Sequence, residues 1–179
     1  MNYGATLTYL LEGALQAIEL FFLTIVLSLP LGLLVARLRL SKKWIIQRPI
    51  RLYLLIMRGT PLMLQLFFFM YGPSLLFGLP IDRFGAAVLS FTLNYAAYFA
   101  EIYRGGIESI PAGQYEAASV LGLNAWQTFM RIILPQAVKR IVPSCANEFM
   151  TLVKDTSLTQ VIGVAELMRN ASNVMNRES

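Results

Sequence analysis

Leu15 to Ala36 reads LQAIELFFLTIVLSLPLGLLVA, with Glu19 as its only charge. A helix needs about 20 mostly apolar residues to cross a bilayer, so this stretch is a transmembrane helix by length and composition. Three further stretches follow: Leu52 to about Tyr71, about Phe84 to Tyr103, and about Ile141 to Val164. Composition agrees. Of the 179 residues, 56% are hydrophobic and 14% charged, against about 45–50% and about 25% in soluble domains. The expected fold is an all-α integral membrane protein, a polytopic helical bundle with about four spans in a single domain, 1–179.

Charge sets the orientation. Basic residues flanking the spans concentrate on the cytoplasmic side. Arg37, Arg39, Lys42, Lys43, Arg48 and Arg51 lie between the first two spans, and Arg104, Arg131, Lys139 and Arg140 between the last two. The other side has Arg83, Arg169 and Arg177, while Arg58 and Lys154 fall inside spans. The N-terminus is therefore expected outside, with a multi-pass chain in the cytoplasmic membrane. No Lys or Arg precedes Arg37, and a signal peptide needs a basic start, so the first span reads as retained. The net charge of +5 is an orientation device rather than a nucleic-acid footprint. One cysteine, Cys145, cannot form an internal disulfide and reads as a small buried apolar residue. The absence of histidine excludes imidazole metal sites and Ser-His or Cys-His catalysis.

Segments 1–14 and 72–83 read as an interfacial lead-in and a tight outer loop, and 37–51 as a basic connection. Segment 104–140 differs. Pro111 can open a helix, and Gln114, Glu116, Ala117 and Ala118 favour one. Gly122 can end it in a left-handed cap. Asn124 can cap a second short helix, AWQTFMRIIL, and Pro135 then redirects the chain. From the residues alone, two short helices separated by a Gly turn are either an interfacial loop or a docking knob for a soluble partner.

Here the chain resembles a known family. Glu116-Ala117-Ala118, Gly122 and Ile132-x-Leu134-Pro135 keep the spacing of the EAA loop of membrane subunits of bacterial ABC importers. Arg58-Gly59-Thr60-Pro61-Leu62, Asn94-Tyr95-Ala96-Ala97-Tyr98 with Glu101-Ile102-Tyr103-Arg104-Gly105, and Lys154-Asp155-Thr156-Ser157-Leu158 look like the polar amino acid branch of these permeases. The resemblance implies the helical bundle of a type I importer permease. It implies a second permease subunit, identical or different, two ATP-binding subunits beneath, and a periplasmic or lipid-anchored binding protein that delivers the amino acid. It implies that Glu116, Ala117, Ala118, Gly122, Leu134 and Pro135 form the coupling element, with both alanines giving close approach to the partner's groove. No cofactor is expected in this chain, because it has no GxxxxGK[ST] phosphate loop; ATP and Mg²⁺ belong to the partner. Family members usually carry a fifth span after Glu166-Leu167-Met168-Arg169. The tail AELMRNASNVMNRES offers none, so the expectation is a chain that inserts but assembles poorly and transports little, at the extreme a non-functional permease fragment.

Interior polar residues mark a pathway independently. Arg58-Gly59-Thr60-Pro61 and Lys154-Asp155-Thr156-Ser157 interrupt apolar runs, and broken hydrophobic segments point to transport sites. A cation at a helix centre costs about 2.5–3.5 kcal/mol on insertion scales. Arg58 either lines a path or, the preferred reading, snorkels to the headgroups. Glu148 and Asp155, seven residues apart, share a helix face and can receive an ammonium group. Lys154, Thr156 and Ser157 can meet a carboxylate. Gln65 and Asn94 either line the same cavity or make helix–helix hydrogen bonds worth about 0.6 kcal/mol. Two rivals remain: an ion-coupled secondary amino acid carrier, for which a docking knob has no use, and an intramembrane enzyme built on Ser157 and Lys154, which lacks an evident oxyanion site.

Overall fold

A computed structural model describes residues 3–41 and 43–164. Helix α1 (Tyr3–Arg39) is followed by α2 (Trp44–Gly59), α3 (Leu62–Phe77), α4 (Arg83–Glu108), α5 (Ala112–Val120), α6 (Ala125–Thr128) and α7 (Leu134–Asp155). A π-helical turn, Phe129–Ile133, joins α6 to α7, and a 3₁₀ turn, Thr156–Ile162, extends α7. Among the described residues there are no strands, as the all-α expectation required. The tail after Val164 lies outside the described residues.

Leu20, Thr24, Ser28, Gly32 and Ala36 recur every four residues along α1 and all are buried. This stripe lies against α4. The opposite face, with Leu15, Ile18, Phe22, Val26 and Leu33, is exposed. Hydroxyls inside and leucines outside invert the pattern of a water-soluble bundle and suit a lipid surround. Helix α4 occupies the centre, packed against α1, α2, α3 and α7. Asp82 starts it by accepting a 2.9 Å hydrogen bond from the Gly85 amide. Ala86, Ala87, Ala96, Ala97 and Ala100 are buried on it, and such small side chains let backbones approach. Phe91, Tyr95, Phe99 and Tyr103, also four apart, form a ladder with centroid spacings of 6.2, 6.3 and 6.4 Å.

The structure shows how the interrupted second span is built. The stretch from Leu52 to Tyr71 is two helices bent by 111°. Pro61 has no N–H and its ring disfavours the carbonyl four residues back. It also pushes Thr60 out of the helical region, and Thr60 sits at φ −117°, ψ 146°. The remaining elements extend beyond their apolar parts. Residues 3–14 belong to α1, and α3 runs through the expected outer loop until Gly78, whose φ of +67° ends it. The last helix starts at Leu134, not Ile141. Among the described residues only α1 is by itself long and apolar enough to cross a membrane, with the bent α2–α3 pair as a second candidate. At 1.5 Å per residue, α4 and α7 are about 39 and about 33 Å long, sufficient for a 30 Å core, but their sequences are more polar.

A Cβ added to Gly32 would stand 2.9 Å from the Phe99 Cβ and 3.1 Å from the Ala96 carbonyl oxygen. Gly32→Val is therefore expected to part α1 from α4 and to destabilise the fold by about 1–3 kcal/mol, the usual cost of overpacking. Gly105→Ala, with nothing within 4 Å of the added Cβ, should be neutral. Thermal unfolding of the purified protein in detergent checks the pair, and equal melting temperatures would show that the α1–α4 contact yields.

Candidate functional site

Two regions gather the functional residues, a polar interior around the breaks and a helical knob at one end of the bundle. At the α2–α3 break, the carbonyl of Met57 has lost its helical partner. The Gln65 Nε2 donates to it at 2.9 Å, and also reaches the Thr60 carbonyl at 3.1 Å and the Thr60 Oγ1 at 2.9 Å. The Asn94 Nδ2 donates to the same Met57 carbonyl at 2.9 Å and to the Gln65 Oε1 at 3.0 Å. Gln65 and Asn94 are 6% and 4% exposed. Their amide donors are engaged in holding the break.

Glu148 and Asp155 do share a face, and each is half-buried. The Tyr95 hydroxyl donates to the Asp155 Oδ2 at 2.7 Å. Glu148 feels the charge of Asp155 on one side and of Arg58 on the other. Lys154 points elsewhere and is exposed; it forms no ion pair with Asp155 within 4 Å. The Thr156 hydroxyl donates to the Val153 carbonyl at 2.8 Å, and the Ser157 hydroxyl to the Lys154 carbonyl at 2.7 Å. Both hydroxyls turn back onto their own helix, as hydroxyls at helix ends do, and Lys154 lies on a different face. Nor does the Ser157 hydroxyl donate to the Lys154 side-chain nitrogen, which as a neutral amine would have to accept its proton in a nucleophile–base pair.

Arg58 is 43% exposed at the end of α2. Its guanidinium lies over the Tyr98 ring at 5.3 Å and 3.9 Å from the Glu101 Oε2. Glu101 is the hub of this region: it accepts from Arg104 at 2.6 and 3.0 Å and lies 3.8 Å from Arg39. Tyr95, Tyr98 and Glu101 were not singled out from sequence as site residues, though their spacing of three along α4 placed them on adjoining positions of one helix.

The knob is built by local chemistry. Helix α5 ends at Gly122, φ +71°, where the Leu123 amide reaches the Ala118 carbonyl and the Gly122 amide the Ser119 carbonyl, both at 3.0 Å. This is a Schellman cap, and its left-handed residue favours Gly. Asn124 and Gln127 form a reciprocal capping box at 2.9 and 3.0 Å. Pro135 does not redirect the chain. Helical backbone continues from Ala125 to Ile162, and the π turn before Pro135 takes up the hydrogen-bond mismatch that a proline imposes. The Gln136 amide donates to the Gln114 Oε1 at 3.0 Å, and Arg140 donates to the Ser109 carbonyl. Ile110, Ile133 and Ala137 form a small core beneath.

Of the coupling residues, Glu116, Ala117, Gly122 and Pro135 are exposed and Leu134 is half-buried. Ala118 is fully buried within the chain, whereas Ala117 is exposed. Val120, Leu121 and Trp126 project outward, Val120 being 88% exposed and Trp126 67%. Between α5 and α6 lies a groove of about 390 Å³ lined by Tyr115, Ser119, Leu123, Ala125, Thr128 and Phe129.

A lipid-facing helical bundle with a broken span, polar groups at its breaks and a capped helical knob has the architecture of a type I importer permease. The chain belongs to the family described as "Binding-protein-dependent transport system inner membrane component", whose model matches residues 28–178. It is 41% identical to the L-cystine transport system permease protein TcyB of Bacillus subtilis, over 90% of this chain and 69% of that protein. It is 38% identical to the glutamine transport system permease protein GlnP of Escherichia coli, over 93% and 76%. Among solved structures, it superposes on an amino acid ABC transporter, described as crystallised with histidines, at a TM-score of 0.86 with 34% identity, covering 94% of this chain and 78% of the other.

An unsatisfied buried polar group costs about 1–3 kcal/mol. Gln65→Leu removes one of the two donors to Met57 and both contacts to Thr60, and is expected to destabilise the protein by that order. Substrate preference of the surviving transporter should not change. A melting curve together with uptake of competing amino acids checks this. A shift in preference without loss of stability would return Gln65 to the pathway.

Proposed function

We propose that this chain is the membrane-spanning subunit of an ATP-driven importer that carries polar amino acids across the bacterial cytoplasmic membrane. ATP is bound and hydrolysed on a partner subunit. The carrying observation is the knob: α5 presents Glu116 and Ala117 to the outside, on a base tied to α4 and α7 by Gln114, Gln136, Ser109 and Arg140. Amino acids as cargo follow from what TcyB and GlnP are named for and from the facing pair Glu148 and Asp155. A second permease subunit and a binding protein outside the membrane complete the assembly, with the N-terminus outside and the knob in the cytoplasm.

In the proposed cycle, the ATP-binding subunit grips α5. Its closure moves the knob, and α7 carries the movement to the interior, where Glu148 and Asp155 attract the ammonium of the cargo. A site of low dielectric strengthens that attraction. Glu148 is the freer of the two, because Asp155 already accepts from Tyr95.

Glu116→Lys and Gly122→Val are expected to uncouple ATP hydrolysis from uptake in the reconstituted complex while leaving the chain inserted. Gly122→Val should be the harsher, since a β-branched residue resists a φ of +71°. Normal coupling in both variants removes the docking role. In the same complex, Glu148→Gln is expected to weaken uptake of cationic amino acids more than of neutral ones, and more than Asp155→Asn does. Equal losses for both substrate classes would assign the carboxylates to structure rather than to recognition.

A further inference from the structure

A second cleft, of about 560 Å³, lies where the end of α1 meets α2 and α4. Its lining includes Arg39, Arg51 and Arg58, with Glu101 as the one acidic residue and Leu54 and Leu55 as the apolar wall. The single carboxylate does not satisfy the cations. Glu101 is held by Arg104, and its separations of 3.8 Å from Arg39 and 3.9 Å from Arg58 are too long for hydrogen bonds. The Arg39 Nε is buried without an acceptor. No carboxylate among the described residues lies within 4 Å of Arg51. An orphaned guanidinium donor in a cleft with surplus positive charge calls for an anion with several acceptor oxygens, and phosphate matches the guanidinium fork.

We infer that this cleft binds the headgroup phosphate of an anionic lipid of the cytoplasmic leaflet. Two observations favour a lipid over a free anion. Leu55 lines the cleft and is 70% exposed, with exposed Leu52 and Ile56 beside it on α2, so an apolar track leads away from the guanidiniums for an acyl chain to follow. The basic connection Arg37–Arg51 adjoins the cleft, as basic pockets for headgroups do on the cytoplasmic side of membrane proteins. The inference rests on the proposed orientation, which puts this end of the bundle at the cytoplasmic surface. The cleft would tie the α1–α2 corner to the membrane and neutralise the charges beside Arg58.

The test uses the complete transporter, purified from membranes containing both phosphatidylglycerol and phosphatidylcholine, with bound lipid counted by native mass spectrometry. Phosphatidylglycerol should be retained in preference to phosphatidylcholine. Arg51→Gln should lower that preference about fivefold, the equivalent of about 1 kcal/mol for one basic residue at a membrane surface, and Arg39→Gln should act in the same direction. Arg51→Lys should keep most of the preference, which separates charge from misfolding. Equal retention of the two lipids, or a preference untouched in the Arg39→Gln, Arg51→Gln double variant, overturns the inference. Displacement of the lipid by millimolar inorganic phosphate overturns it in favour of a free anion. Crosslinking of Arg51→Cys to the second permease subunit overturns it in favour of a protein occupant. Labelling of Arg51→Cys by an impermeant thiol reagent, in a Cys145→Ala background, reports the orientation separately.

Discussion

Helices in lipid gain nothing from hiding apolar surface, because the surround is as apolar as the side chains. They associate where backbones can come close enough for dispersion and polar contacts to add up. This constraint explains the composition of α4. Five of its twelve buried residues are alanines, with Gly106 beneath the Ile141 side chain and Gly32 of α1 against Ala96, Phe99 and Ala100. Every other long helix touches α4, so the arrangement of the bundle is set by how closely each neighbour can approach this one surface.

A tight centre lets the periphery be irregular. The break at Thr60 and Pro61 leaves the Met57 carbonyl without its helical donor, and a buried carbonyl left unsatisfied is costly. Gln65 from the helix after the break and Asn94 from α4 both donate to Met57. The break is thus sealed from two sides, one of them the rigid centre. Its consequence is positional: α2 ends where Arg58 meets Tyr98 and Glu101, and the guanidinium sits at the edge of the bundle rather than inside a continuous span.

How legible each part was in the sequence depended on the range of the interaction. Gly122 and Asn124 act on their immediate neighbours, and their caps followed from residue type and spacing, whereas the Gln127 half of the capping box was not read from the sequence. The break at Pro61 was visible as an interruption, but a hydropathy window joined its two halves because apolar residues flank it on both sides. The roles of Gln65, Asn94, Thr156 and Ser157 were not legible. Whether an amide or hydroxyl meets a ligand or a carbonyl depends on which backbone groups the tertiary fold leaves unpaired, and Met57 and Asn94 are distant in sequence. Ala118 was misplaced for a related reason. Helix propensity says that an alanine is helical, not which face of α5 the Ile110–Ile133 core will cover. The glutamate hub at position 101 required three helices, α1, α2 and α4, to meet, so a single-helix pattern had no means of showing it.

The helix that bears Glu148 and Asp155 is continuous with the one that frames the knob. Helical backbone runs from Ala125 through the π turn and α7 to Ile162, with Pro143 inside α7 leaving one carbonyl without its helical donor, and Gln136, which holds α5 through Gln114, stands about 18 Å along it from Glu148. A helix is stiff along its axis, whereas a loop at Pro135 would have absorbed displacement. The π turn lets a proline be present without a hinge. At the far end the rod changes to a 3₁₀ turn immediately after Asp155, where Tyr95 of the central helix holds the carboxylate. Tyr95 and Asp155 join the end of α7 to the central helix, beside the ring contact of Phe99 with Phe149 and the Arg83 donation to the Gly163 carbonyl.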